Sequence, residues 1–202
     1  YGETWDVLGA SNQASAAVEL SALTSGSSEN MFVYSNSMIE NVSLTASYTP
    51  SGTAEAESSI DFAAAYTGVE GLTIGAAIGQ DNAVAGTGSF DSTTMYVKYA
   101  YGPVTVGYQE SEVEGNNATN SDDMTMYGIT YAVSDSLSVG YGSSTIDLGS
   151  STVDQETTNI SFSYTMGGMT LAGGFIDQEN TGGSSAAIDD REGYAIDLSF
   201  AF

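Results

Sequence analysis

The nine residues Tyr194-Ala-Ile-Asp-Leu-Ser-Phe-Ala-Phe202 alternate without a break. Tyr194, Ile196, Leu198, Phe200 and Phe202 form one set, and Ala195, Asp197, Ser199 and Ala201 the other. A period of two places each set on its own face of a β-strand. One face is therefore apolar and aromatic; the other is small or polar and carries a carboxylate. In a soluble sandwich the apolar face packs into a core, whereas in a membrane barrel it meets lipid and the polar face meets water.

The same pattern recurs upstream. Alternation bounded by turn residues predicts strands at about 30–35, 42–49, 58–66, 72–80, 92–101, 104–112, 124–132, 137–147, 157–166, 169–178 and 192–202. Ile60/Phe62/Ala64/Tyr66 and Ile160/Phe162/Tyr164/Met166 mark one face; Ser59/Asp61/Ala63 and Asn159/Ser161/Ser163 mark the other. Tyr48, Tyr66, Tyr101, Tyr131, Tyr164 and Phe202 fall near strand ends, where interfacial girdles sit. The connections alternate in length. Asn36–Asn41, Thr67–Gly71, Gly102–Pro103, Val133–Ser136 and Gly167–Gly168 are short; 50–57, 81–91, 113–123, 148–156 and 179–191 are long. Short turns on one rim and long loops on the other mark a transmembrane barrel, and a sandwich has no reason to sort its loops this way. The expected fold is all-β: an antiparallel up-and-down transmembrane barrel.

Composition agrees. The chain has 24 Gly, 13 Tyr, 7 Phe and 2 Pro, with no Cys or His. No apolar run approaches the ~20 residues of a membrane helix. Lys98 and Arg191 are the only basic residues against 26 acids, for a net charge of −24. Nucleic acid and anionic lipid surfaces are poor partners for that balance; metal cations and small cationic solutes are better ones. Most acids are read in or beside the long loops, leaving only Asp61 and Asp197 inside strands.

Eleven strands cannot close. In an antiparallel meander the first and last of an odd set run the same way, and single-chain bacterial barrels have even counts. Either residues 1–29 hold a twelfth strand, or strands precede Tyr1. Residues 13–24 are Ala-rich and lack alternation, which favours a short helix over a strand.

Residues 29–49, Glu-Asn-Met-Phe-Val-Tyr-Ser-Asn-Ser-Met-Ile-Glu-Asn-Val-Ser-Leu-Thr-Ala-Ser-Tyr-Thr, resemble a stretch of the general trimeric outer-membrane porins of Gram-negative bacteria. The matching positions are Asn30, Tyr34 and Ser35, then Val42, Leu44, Ala46 and Tyr48. In that family this hairpin follows the loop that folds into the pore and narrows it. The resemblance implies a pore-constricting segment at 1–29, barrel strands at 30–202 and strands six to sixteen of sixteen. It also implies a homotrimer in contact with outer-membrane lipid and lipopolysaccharide. One departure stands out: these strands supply only Lys98 and Arg191, not the cluster of wall arginines such porins carry.

Enzyme chemistry lacks its parts. With no His or Cys, nucleophile activation and zinc binding lose their usual groups. Asp122-Asp123 and Asp189-Asp190 are read as solvated loop charge. These pairs and Glu110/Glu112/Glu114 are candidate ligands for Ca²⁺ or Mg²⁺, although none has the spacing of a dedicated calcium loop. Simple solvation, or cation bridging to lipopolysaccharide, is the alternative. Asp61 and Asp197 turn inward by alternation, where pore water keeps them ionised and their field attracts cations. Glu3, Asp6 and Glu19 add to that field if the leading segment folds inward. Lys98 also faces inward, within reach of a carboxylate partner. Trp5, the only Trp, is read as an anchor packing that segment to the wall. Two functions remain: a passive, cation-favouring diffusion pore, or a filled structural or adhesive barrel with acidic loops as its working surface. Inner faces of mostly Ser, Thr, Gly and Ala favour the pore.

Overall fold

A computed structural model describes residues 32–50, 58–82, 89–186 and 190–201. Eleven strands form one sheet in sequence order, every neighbouring pair antiparallel. They are β1 (Phe32–Asn36), β2 (Val42–Thr49), β3 (Ser59–Val69), β4 (Leu72–Asn82), β5 (Ser89–Tyr101) and β6 (Val104–Glu114). Then come β7 (Asp122–Ala132), β8 (Leu137–Leu148), β9 (Gln155–Met166), β10 (Met169–Glu179) and β11 (Arg191–Phe200). Among the described residues β1 and β11 are both edges, and being odd-numbered they run parallel. The expectation for residues 1–29 lies outside the described residues.

Burial follows the two-residue period. Phe62, Ile74, Val97, Ile129, Tyr141, Ile160 and Ile196 are exposed on one face, here called outer. Ser47, Gln109, Ser144, Thr157 and Ser161 are buried on the other. A soluble sandwich would show the reverse. Large apolar side chains face out in continuous bands because their solvent is hydrocarbon, not water. On β6, β7 and β8 the outer apolar runs are Val104–Tyr108, Tyr127–Tyr131 and Leu137–Tyr141; on β9, β10 and β11 they are Ile160–Met166, Met169–Phe175 and Tyr194–Phe200.

Turns on the short rim are tighter than the sequence suggests. β3 runs on to Val69 through a register shift after Tyr66, so Glu70-Gly71 alone joins it to β4. Gly71, Gly102 and Gly167 hold φ of 76°, 56° and 61°, the left-handed region that two-residue hairpins require. These glycines are not equivalent. A Cβ on Gly71 would stand 2.2 Å from the carbonyl oxygen of Ala100, whereas one on Gly102 meets nothing within 4 Å. Gly102→Ala should therefore cost only the left-handed penalty, about 1–2 kcal/mol. Gly71→Ala should cost clearly more, because a backbone carbonyl cannot step aside. Urea midpoints of the refolded barrel measure both, and equal losses would contradict the crowding.

The strands also outrun their predicted upper ends, taking in Asp91, Glu114, Asp122, Asp123, Glu156 and Glu179. With Glu110, Glu112, Asp147 and Asp177, which already fall inside the predicted spans, these overturn the reading that only Asp61 and Asp197 lie within strands. Glu110, Glu112 and Glu114 belong to β6, Asp122 and Asp123 to β7, Asp147 to β8, Glu156 to β9, and Asp177 and Glu179 to β10. Ordinary alternation sends most of them outward. Asp91, Glu110, Glu112, Glu114, Asp123, Asp147, Glu156, Asp177, Glu179 and Glu192 form a belt on the outer face above the aromatic residues. Within it Asp91 stands opposite Glu114, Glu112 opposite Asp123, Asp123 opposite Asp147, Glu156 opposite Glu179 and Asp177 opposite Glu192.

Candidate functional site

The inner wall is assembled from every second residue of each strand. Its polar surface is small: Ser43, Thr45 and Ser47 on β2, Thr73, Gly75 and Gly79 on β4, Ser138, Gly140 and Gly142 on β8. Asp61 sits among them on β3. The Ser47 hydroxyl donates to its Oδ2 at 2.6 Å. A Cβ on Gly79 would fall 2.4 Å from Asp61 Oδ1, so the carboxylate lies along the wall over that glycine. The lack of a side chain at position 79 is what gives the carboxylate its place.

Asp197 has inner-face parity on β11 opposite Ala172 and is exposed. Lys98 also faces inward, opposite Thr73 on β4 and Gly107 on β6. It makes no ion pair among the described residues. Ser92 stands beside Gly79 and hence level with Asp61. Six residues separate Ser92 from Lys98, about 20 Å along the strand. The lysine therefore leaves the Asp61 charge uncompensated. Arg191 lies on the inner face at the far end of β11, opposite Gln178.

The candidate cation ligands do not assemble. Asp122 and Asp123 are consecutive strand residues, so they take opposite faces. Asp122 turns inward and its Oδ1 accepts from the Gly149 amide at 3.1 Å; Asp123 turns outward. Glu110, Glu112 and Glu114 share the outer face, with Tyr108 donating its hydroxyl hydrogen to Glu110 at 2.5 Å. Asp190 accepts from the Asn180 amide at 3.0 Å. Asp189, Glu3, Asp6, Glu19 and Trp5 lie outside the described residues. Among the described residues no group of three or more acids is placed to hold a metal ion.

Two features of the wall escape the sequence reading. Met124, Met126, Ile146 and Leu148 form an apolar cluster on the inner face, where small polar residues were expected. Gln109, 1% exposed, runs beside it, its Nε2 donating to Ser111 Oγ at 3.0 Å while Oε1 has no partner among the described residues. The parity of Met124 and Met126 with Gly128 and Thr130 is the signal that could have found this cluster. The second feature is a 3-10 turn at Thr181–Gly183 that leans across β9 toward β8. Its Gly182 amide donates to Gln155 Oε1 at 2.9 Å, and Thr181 Oγ1 donates to Gln178 Oε1 at 3.1 Å. Gln155 and Gln178 are both buried inner-wall residues.

The long connections are tied to one another. The Gly149 amide donates to Ser121 O at 2.9 Å, Ser151 Oγ to Gly183 O at 2.6 Å, and Asn180 Nδ2 to Asp154 O at 3.0 Å. A collar of three loops thus stands over the inner wall at the rim opposite the short turns.

Comparison with known proteins gives this wall its context. Among solved structures the sheet is similar to OmpT of Vibrio cholerae, at 17% identity and a TM-score of 0.61 over 84% of this chain and 63% of that one. It is similar to OmpF of Salmonella typhi, in a complex with daunomycin, at 13% identity and a TM-score of 0.67 over 84% of this chain and 61% of that one. A triple mutant of the Rhodopseudomonas blastica porin matches at 20% identity and a TM-score of 0.63, over 85% and 55% of the two chains. The chain thus spans less than two thirds of these relatives. No curated protein matches it. The model of the family described as Gram-negative porin matches residues 1–184, and with that match the chain belongs to the Gram-negative porins of the outer membrane.

Proposed function

We propose that this chain forms part of the wall of a passive, water-filled outer-membrane channel that favours cations and passes small hydrophilic solutes. The observation that carries the reading is the inner face itself. Small Ser, Thr, Gly and Ala side chains make up most of it, the cluster of Met124, Met126, Ile146 and Leu148 apart, where a filled structural barrel would need bulky ones throughout. Asp61 and Asp197 stand on that face with Lys98 too far along the wall to offset Asp61. A diffusion pore needs no catalytic group; width and field set what passes. The resemblance supports a homotrimer, with residues 1–29 narrowing each pore and Glu3, Asp6 and Glu19 adding to its charge. Planar-bilayer recording of the native assembly under a salt gradient tests this. Stable conductance with a cation-signed reversal potential is expected, and an anion-signed potential would reject the selectivity.

The outer belt supports a partner. Like charges directly opposite across a ladder are destabilising, and this belt has five such pairs with no basic residue on its face. Diffuse Ca²⁺ or Mg²⁺, shared with the phosphates of lipopolysaccharide, would relieve that repulsion without a dedicated ligand cage. Chelation should then lower the unfolding temperature of the native channel in lipopolysaccharide-containing membranes, and restoring Mg²⁺ should recover it. An unfolding temperature indifferent to chelator would remove the bridging.

A further inference from the structure

We infer that the turn at Thr181–Gly183 is a built-in restrictor of the channel's outer mouth, seated on the inner wall and fixed there by Gln155, Gln178 and Ser151. The inference rests on the reading of the protein as a pore and deepens it. A connection that merely joined β10 to β11 would rise away from the rim. This one bends back over β9 to reach β8, and every side chain it meets from those strands belongs to the inner face. Gly182 takes Gln155 Oε1, Thr181 takes Gln178 Oε1, and Gly183 O takes the Ser151 hydroxyl. Leu148, also on the inner face, stands 3.3 Å from where a Gly183 Cβ would be.

The local sequence is built for that return. Asn180, Gly182 and Gly183 adopt φ of 54°, 67° and 74°. Three left-handed residues within four positions reverse the chain sharply, and Gly and Asn are the residues that accept this region. Gly183 is required for a second reason: its Cβ would lie 2.4 Å from Ser151 Cβ. Only a residue without a side chain can approach the β8–β9 connection so closely. Gly182 is the opposite case, since a Cβ there meets nothing within 4 Å and points into open space. The turn therefore has a fixed side, against the wall, and a free side.

Gln178 and Gln155 beneath the turn are 2% and 8% exposed, but Ser47 on β2 and Gln109 on β6 are as buried, so the hydrogen bonds and the close approach to Leu148, rather than burial, place the turn against the wall. Layers of protein packed face to face stand about 10 Å apart, so a segment lying on the wall takes several ångströms from the bore. The outer mouth is thus narrowed from the β8–β10 side by a described element, independently of anything residues 1–29 contribute.

The test uses the native channel in planar bilayers, with two variants that act in opposite directions. Deleting Thr181–Gly183 should raise single-channel conductance and shift the exclusion limit for neutral poly(ethylene glycol)s toward larger polymers. The chain has no cysteine, so Gly182→Cys introduces a single thiol on the free side. Its reaction with a cationic methanethiosulfonate should lower conductance and reduce cation preference, with no effect of the reagent on the parent channel. If the deletion fails to fold, shown by loss of heat-modifiable gel mobility, the thiol variant alone decides. Conductance unchanged by labelling, or by a folded deletion, would overturn the restrictor while leaving the pore intact. A parent protein that never conducts would instead reject the pore reading itself.

Discussion

Ile129→Arg should cripple assembly of the barrel, whereas Thr130→Arg one residue away should be tolerated. Ile129 lies on the outer face between Tyr127 and Tyr131, at the centre of the β7 apolar run. An Arg at the bilayer midplane of a barrel's lipid face costs about 2–4 kcal/mol. That lowers the folding equilibrium roughly 30- to 700-fold, since each 1.4 kcal/mol is tenfold. Thr130 is inner-facing, opposite Thr105 on β6 and Gly140 on β8, where pore water hydrates a guanidinium. The contrast tests the inside-out polarity directly, because depth and strand are held constant and only the face changes. Urea titration of the protein refolded into lipid vesicles gives both values. Equal destabilisation by the two arginines would mean that the outer face does not meet hydrocarbon.

The second large effect is electrostatic. Replacing Asp61 and Asp197 together by Asn should strip much of the proposed cation preference at low salt and change conductance little at high salt. At 0.1 M the Debye length is about 10 Å, comparable to a pore radius, so wall charge reaches the centre of the lumen. At 1 M it falls to about 3 Å and the centre conducts almost without regard to sign. The Asp61 carboxylate is held along the wall by the Ser47 hydroxyl, so its charge has a fixed place on the inner face. Reversal potentials of the single and double variants at both salt concentrations measure the effect. A preference that survives the double substitution at 0.1 M would place the selectivity elsewhere in the channel.

Most of the architecture was legible in the chain because a sheet with two different solvents writes its period plainly. Ile160/Phe162/Tyr164/Met166 against Asn159/Ser161/Ser163 leaves no choice of face, and the inward placement of Asp61, Asp197 and Lys98 follows from the same count. The upper strand ends were misread for an equally physical reason. Glu114, Asp122 and Glu156 look like loop because hydrocarbon rejects carboxylates, yet a strand keeps its ladder after it has left the hydrocarbon. Asp122 and Asp123 failed as a ligand pair on the same ground: adjacent residues converge in a loop and diverge in a strand. The inner cluster of Met124, Met126 and Ile146 departs from the expected small polar lining, and only its parity with Gly128, Thr130 and Ser144 marks it. The seat of the 181–183 turn was not legible at all. Its partners Gln155 and Ser151 lie some thirty residues away, and no local pattern announces a hydrogen bond across two strands.

The unequal outer apolar runs carry a mechanical consequence. On β6 to β8 each run covers five residues, Val104–Tyr108, Tyr127–Tyr131 and Leu137–Tyr141; on β9 to β11 each covers seven, as in Ile160–Met166. Two residues are about 7 Å of strand, or roughly 5 Å along the membrane normal at a tilt near 40°. The bilayer beside β6–β8 must thin by that amount, or the whole barrel must lean to share the difference. Either distortion costs fractions of a kcal/mol per ångström of mismatch. Two proteins that thin the membrane lose part of this cost by thinning it together. The short side is therefore a source of lateral attraction acting through lipid, one that draws neighbouring barrels toward it before any side chains touch.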